Sequence, residues 1–366
     1  MISLPKCQNL SREQLADCRR QQAQQLQEQW LITLGWGSSA ISRSEARRIQ
    51  LWLGIFPVHW QQLPSALLLQ RQVETLQRQL GGEFGGLLSA MLLDPALQLS
   101  LNGPANQKER PNENLARELL ELFSLGEGNY TETDVINTAR ALTGYRLDAD
   151  QQLVLNPRHH DSGLKTILGR TQSFESPDLA QWLSQQPATA RNIVVRLWQR
   201  MIGPLPQRTR LKTLAEAWRQ QKLSIPWLIN TLQQSPEAQV SRHQGLRLSD
   251  PLEVIARSLR LLGSQHPEAI AISLRGLRAM GQAPFEPPSV KGWPTNSQWL
   301  QLRWLQARRR TLQQLLANEE VWASRQLPPE LSRALTGIQP LTINLPASAT
   351  RENLALLFTD PVWQLA

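Results

Sequence analysis

The run Pro111–Gly144, PNENLARELLELFSLGEGNYTETDVINTARALTG, decides the fold class. It reads as two amphipathic helices joined by a short glycine-bearing link. Pro111 suits a helix start, where a missing N–H costs nothing, and Asn112 or Asn114 can cap it. Leu115, Leu119, Leu122 and Phe123 recur at helical spacing and form one apolar stripe. Gly126 and Gly128 supply the stop. Thr131 and Asp134 fit a capping box for the second helix, whose stripe is Val135, Ile136, Ala139 and Leu142 and which Gly144 ends. Neither helix can bury its stripe alone, so the pattern predicts a helical hairpin.

A second face of the first helix gathers Asn114, Arg117, Glu118 and Glu121. Glu113–Arg117 and Arg117–Glu121 have the i, i+4 spacing of opposite-charge pairs. Two readings stand side by side. In one, this is a solvated face with ordinary, weak ion pairs. In the other it is a polar site facing a cleft, with the glutamates ligating a metal or carrying protons.

Outward from this pair the chain keeps a helical period. With 366 residues, 41% hydrophobic and 19% charged, it is long enough for a sizeable core and is not disordered. The N-terminal segment 1–41 reads as a polar, Gln-rich helical extension, 42–318 as the helical core domain, and 319–366 as an irregular tail with one short helix. Ser42 with Glu45 is another capping box. The period fails only near 150–170, where short apolar runs predict a small β-hairpin or an irregular insertion. The fold class is therefore mostly α, a compact multi-helix domain with that single insertion. Further on, the Pro-rich loop 282–294 reads as packed over the helices by Phe285 and Trp293, forming a wall of a cleft.

The net charge of +9 favours acidic partners, but the arginines are spread along the chain. A basic helix near Leu300–Asn318, with Arg303, Arg308, Arg309 and Arg310, reads as a solvated face or as a nucleic-acid contact, and no nucleic-acid-binding signature accompanies it. Cys7 and Cys18 form no disulfide framework; with a helical link between them they are expected to be free thiols. No run has transmembrane length and no signal-peptide core is visible, so the expected location is the cytoplasm. P-loop, dinucleotide-loop, H-E-x-x-H and G-x-S-x-G motifs are all missing, which leaves the corresponding enzyme classes without their usual residues.

The pattern N-E-N-x-A-R-E-x-x-E-L, then L-G, Y-T-x-x-D-V and A-R-A-L-T-G, runs here from Asn112 to Gly144. It resembles the signature of a bacterial family known as domain of unknown function 1800, and the chain reads as a divergent member. A second matching run, His159-His160-Asp161-Ser162-Gly163-Leu164-Lys165, keeps the family's His160, Asp161, Gly163 and Lys165 but has His159 for an arginine and Ser162 for a proline. Two family histidine positions are occupied by Ile55 and Gln186. The resemblance implies a helical fold and candidate residues, but no reaction. Relatives often neighbour genes for a sulfatase-like uncharacterised family, which implies a protein partner of that kind and a sulfated or phosphorylated substrate.

His160 and Asp161 are adjacent on a loop, where function concentrates, although such residues also satisfy loop backbone. The leading expectation is a metal-assisted or acid–base site acting on an anionic substrate. Glu118, His160 and Asp161 would be catalytic, Arg117 and Lys165 would hold the substrate, and Glu118, Glu121, His160 and Asp161 would ligate a divalent metal. The alternative is a non-catalytic helical scaffold that binds a partner; a third reading is nucleic-acid binding through the basic helices. The three matching runs, 112–144, 159–170 and 282–294, are expected to meet at one cleft.

Overall fold

Capping residues fix where the helices begin. Ser11 with Gln14, Ser42 with Glu45, Thr131 with Asp134 and Asp250 with Glu253 each form a reciprocal box. The computed structural model describes residues 4, 5, 7, 10–334 and 338–365, apart from the side chains of 333 and 334. Helices dominate it. The strands described form two short antiparallel pairs, Tyr145–Leu147 with Leu153–Leu155 and Lys165–Ile167 with Arg170–Gln172. The mostly α expectation with a small β insertion holds, with two hairpins in place of one. Each closes locally: Leu168 and Gly169 both take positive φ, the two-residue turn that suits strand twist.

One contiguous apolar cluster fills the interior. Trp52, Phe84 and Trp218 stack or tilt against one another with centroids 5.9 and 5.8 Å apart, and Phe56 meets Phe123 of the central stretch at 5.2 Å. The helix Arg12–Trp36 adds Leu26, Trp30, Leu31 and Leu34 to that cluster, and the helix Arg351–Thr359 adds Leu354, Leu357 and Phe358. Its polar stretch is accommodated because the buried glutamines are bonded. Gln22 accepts from Ser65 Oγ at 2.9 Å, and Gln27 Nε2 donates to the Pro284 carbonyl at 2.8 Å.

Local expectations fail at four points, each for a physical reason. Cys7 and Cys18 are not free thiols but a disulfide, with Cα atoms 5.9 Å apart. The helix starts only at Arg12, so Cys7 precedes its Ser11 cap and lies beside the helix on Cys18, as does Pro5, whose carbonyl accepts from Gln22 Nε2 at 2.6 Å. The first central helix is capped at Glu113, without a side-chain cap bond, and Asn112 instead accepts from Asn114 N at 3.0 Å. That helix is α only over Asn114–Glu118 and continues as a π-turn over Leu119–Phe123. Arg308 is not on a solvated face: it is 2% exposed and donates to Gln364 Oε1 and the Ser249 carbonyl.

Candidate functional site

The π-turn admits an extra residue, which shifts the helical face and re-aims the side chains that follow. Ser124 Oγ donates to the Leu119 carbonyl at 2.6 Å, and the Arg196 guanidinium donates to that of Leu122. Arg117 lies on the outer side. It forks onto Glu132 at 2.9 and 2.8 Å and reaches Glu113 at 3.1 Å, while the expected pair with Glu121 does not form. These carboxylates push the Arg117 pKa up, and Arg117 pulls that of Glu132 down. Arg117 is thereby engaged in joining the two central helices.

Glu121 faces the other way. It accepts from Tyr130 Oη at 3.3 Å and lies 3.6 Å from Lys291 Nζ of the Pro-rich loop. Beside it, burial and then the Glu121 charge push the Glu118 carboxyl up, with Lys291 and Arg117 opposing. The first and third matching runs thus meet at Glu121 and Lys291.

The second run packs against the helix Glu132–Ala141 elsewhere. His160 is 8% exposed, and its Nδ1 lies 2.9 Å from the Thr143 carbonyl, which assigns the proton to Nδ1. Asp161 accepts from Arg140 Nε at 2.7 Å and from Gly163 N at 2.9 Å. Burial pushes its carboxyl up, but Arg140, the Gly163 N–H and Lys165 outweigh that and hold it low. Lys165 is 1% exposed; its ammonium donates to the Asp161 carbonyl and sits 4.0 Å from Oδ1. Burial lowers the Lys165 pKa, and Asp161 partly restores it. Asp134 caps its own helix and also accepts from Leu168 N at 2.7 Å. Gly144, at φ 85°, must be glycine, since a Cβ there would stand 2.8 Å from His160 N and 2.9 Å from the Asn156 carbonyl. The run therefore forms a closed joint that fastens the two hairpins to the helix.

The sequence candidates fall into three groups. Arg117 belongs to the helix-joining pairs, Glu118 and Glu121 sit with Tyr130 and Lys291, and His160, Asp161 and Lys165 sit with Arg140 and Thr143. Among the described residues no hydrogen bond or ion pair links the second group to the third. Nor, among the described residues, do three or more His, Cys, Asp or Glu side chains gather as a metal would require.

A cavity lies elsewhere. It encloses about 870 Å³ between the helices Arg43–Leu53, Pro187–Met201 and Pro251–Leu262 and the loop carrying Trp293 and Trp299. Arg43 and Arg47 enter it from the first helix, Arg200 from the second, and Arg257 and Arg260 from the third. Arg242 and Arg247 complete the set, and Asp250 and Glu253 are its two carboxylates.

These arginines differ in what they touch. Arg247 forks onto Glu253 at 2.8 and 3.0 Å. Arg200 donates to the Gly54 carbonyl at 2.9 Å. Arg257 donates to the Leu365 and Trp363 carbonyls and lies 4.5 Å over the Trp363 ring. Arg43, Arg47 and Arg260 have no acid partner among the described residues. Burial, then Arg43, pushes the Arg47 pKa down; burial, then Arg43 and Arg47, pushes Arg260 down to about 10. Burial holds Arg200 and Arg257 at about 10 as well. Burial and the neighbouring Glu253 push the Asp250 carboxyl up, whereas Arg247 outweighs burial at Glu253 and holds it low. Glu253 keeps 43% of its side chain exposed, and it lines the cavity, so solvent reaches the pair from within.

Sequence reasoning missed this cavity. Its local signals are the i, i+4 pair Arg43/Arg47 and the i, i+3 pair Arg257/Arg260, each of which alone looks like a solvated face. Nothing in the chain links positions two hundred residues apart.

Fold and site define a helical protein with a β-hairpin insertion and an arginine-lined cavity. A model of the family described as "Protein of unknown function (DUF1800)" matches residues 3–365, and the chain belongs to that family. No curated protein and no solved structure matches the chain.

Proposed function

We propose that the protein binds an anionic small molecule in the arginine-lined cavity. One observation carries this reading: seven arginines face two carboxylates there, and one of those carboxylates is already forked by Arg247. Bringing guanidinium groups together without counter-charge is unfavourable, and a bound oxyanion relieves it. The planar guanidinium matches carboxylate, phosphate and sulfate in bidentate geometry. The volume falls within the range of small-molecule pockets. Among described residues no helix is long and apolar enough to cross a membrane. The Cys7–Cys18 disulfide supports an oxidising compartment over the cytoplasm. The test is thermal unfolding in rising phosphate and sulfate, against chloride at matched ionic strength. The reading expects an oxyanion-specific rise in Tm that Arg47→Gln combined with Arg260→Gln removes. An equal response to chloride and phosphate would refute it.

Acid–base chemistry is a second reading, favoured by the upward shift at Glu118, which moves that carboxyl toward the range of a general acid. Here Glu118, beside Glu121 and Lys291, acts in proton transfer. Arg117, His160, Asp161 and Lys165 are engaged in their own contacts, and no three metal ligands gather among the described residues, so neither they nor a metal enter this reading. Titration of the Glu118 carboxyl by NMR checks it; a midpoint in the ordinary carboxylate range would refute it.

A further inference from the structure

We propose that a second cavity, which shares Arg200 with the first, binds a hydroxylated acid: one carboxylate or phosphate on a body that carries several hydroxyl groups. This site and its ligand class go beyond the anion-binding reading and stand or fall apart from it.

The second cavity encloses about 840 Å³ between the helix Pro187–Met201, residues 203–205 and the stretch 288–301. Gln199, Arg200 and residues 293–296 line both cavities, whereas Arg196 and Lys291 line only this one. Its charge is one-sided. Arg196, Arg200 and Lys291 face it, and among the described residues no Asp or Glu does. Arg196 and Arg200 stand at i, i+4 on their helix, which sets both guanidinium groups on one face. Neither forms an ion pair among the described residues. Arg196 donates to the Leu122 carbonyl and Arg200 to that of Gly54 at 2.9 Å, contacts that fix each side chain but use a minority of its N–H groups. The nitrogens left over are open. Unlike Arg257 Nε and Arg308 Nε, no nitrogen of Arg196 or Arg200 is both sealed from solvent and without a partner. Two such groups side by side suit one carboxylate or phosphate. Burial, then the charge of Arg200, pushes the Arg196 pKa down to about 9, as two cations held together without an acid require. Lys291 keeps a pair with Glu121 at 3.6 Å, but its side chain is 71% exposed, so that pair is weak and yields readily to a ligand.

A second, independent observation is the neutral polar lining. Gln199, Ser297 and Gln301 make no side-chain hydrogen bond among the described residues. Ser297 and Gln301 are exposed, and neither amide atom of the half-buried Gln199 is sealed from solvent. An amide or hydroxyl side chain both donates and accepts, as a ligand hydroxyl does, so this set pairs with hydroxyl groups and not with a bare oxyanion alone. Leu205, 47% exposed, and Pro288 add apolar surface for the C–H face of a ring. The wall also includes Leu122 of the π-turn, a feature that recurs at functional sites. The volume is that of a small-molecule site and far exceeds what a single phosphate fills.

Calorimetric titration of the full chain uses glucuronate and glucose 6-phosphate at fixed ionic strength, with glucose, acetate and inorganic phosphate as references. At least one of the two acids is expected to bind about tenfold more tightly than glucose and than its own bare anion. The tighter of the two identifies the acid group. Lys291→Gln and Gln301→Ala replace exposed side chains and are each expected to weaken that binding at least about threefold, the worth of one lost contact. Arg196→Gln, with its fold confirmed by circular dichroism, is expected to abolish it. Equal affinity for acid and glucose, or for acid and bare anion, overturns the inference, as does failure of both acids to bind. Binding that Arg47→Gln combined with Arg260→Gln removes, while Lys291→Gln and Gln301→Ala have no effect, puts the ligand in the first cavity; it overturns this inference and leaves the anion-binding reading standing. An unselective salt response with acid binding lost in Arg196→Gln removes that reading and keeps this one.

Discussion

Removing Arg260 should make the unliganded protein more stable. Most substitutions of partly buried side chains destabilise, so the sign alone is diagnostic. Burial and the charges of Arg43 and Arg47 hold the Arg260 pKa at about 10. Against an ordinary guanidinium value above 12, at 1.36 kcal/mol per pH unit, keeping this group charged costs the fold at most about 3 kcal/mol. For a cation whose folded pKa is lowered, that penalty is fully present at any pH well below 10. Solvent entering the cavity screens much of it. Arg260 also lies in the last turn of its helix, where a cation gains roughly 0.5 kcal/mol from the helix dipole. The net expectation for Arg260→Gln is a gain of about 1 kcal/mol, or roughly 2 °C in Tm. The assay is urea and thermal unfolding of both proteins, in chloride and then in phosphate. Phosphate should stabilise the wild type more than the variant and so narrow or reverse the difference. A variant that is less stable than wild type in chloride would show that Arg260 has a structural partner, and the argument from uncompensated arginine charge would fall. A site kept at the expense of stability is what a binding function predicts.

Three more outcomes follow from groups outside the cavity. Lys165 is 1% exposed beside Asp161, so Lys165→Ala leaves that part of the joint short of a cation and should cost about 3–5 kcal/mol in urea unfolding, with Lys165→Met milder. Asp94 is buried, its Oδ2 has no partner, and its carboxyl is pushed up to about 7 by burial. Its stabilising contribution is therefore fully present below about pH 4 and lost as pH rises through 7, by at most about 4 kcal/mol; Asp94→Asn, which keeps an oxygen for the Leu97 N–H, should flatten the pH dependence of stability in that window. Cys7→Ser should lower stability by up to about 3 kcal/mol and remove the two-hydrogen mass difference between reduced and non-reduced protein; an unchanged mass on reduction would refute the bond.

The features legible in the sequence were those set by neighbours a few residues apart. The Ser42–Glu45 and Thr131–Asp134 boxes and the break in helical period near 150–170 depend on such spacing and form, as does the stripe of the second central helix except at Ile136, which is 48% exposed. Two of the failures needed a partner outside the local helix. Arg308 looks solvated in its helix because the Ser249 carbonyl and Gln364 that it bonds lie 59 residues before it and 56 after it. Cys18 looks isolated because its partner, Cys7, precedes the Ser11 cap and is not part of the helix that carries Cys18.

The candidate site shows the same limit in a subtler form. The strongest motif residues, Asp134, Arg140, Thr143, His160, Asp161 and Lys165, are nearly all bonded to one another or to backbone. A buried polar group left unpaired costs a few kcal/mol, so a conspicuous polar motif can exist because a joint must satisfy its own buried atoms. The arginine cavity presents the opposite case. Its residues form no motif, yet seven arginines line it against two carboxylates, and Arg43, Arg47 and Arg260 form no ion pair among the described residues. A satisfied network has its partners within the protein and needs no ligand to explain it. An unsatisfied one, held together by a stable core, does. Motif strength alone would put function at the hairpin joint; the excess of arginines over carboxylates is what supports the anion-binding proposal for the cavity instead.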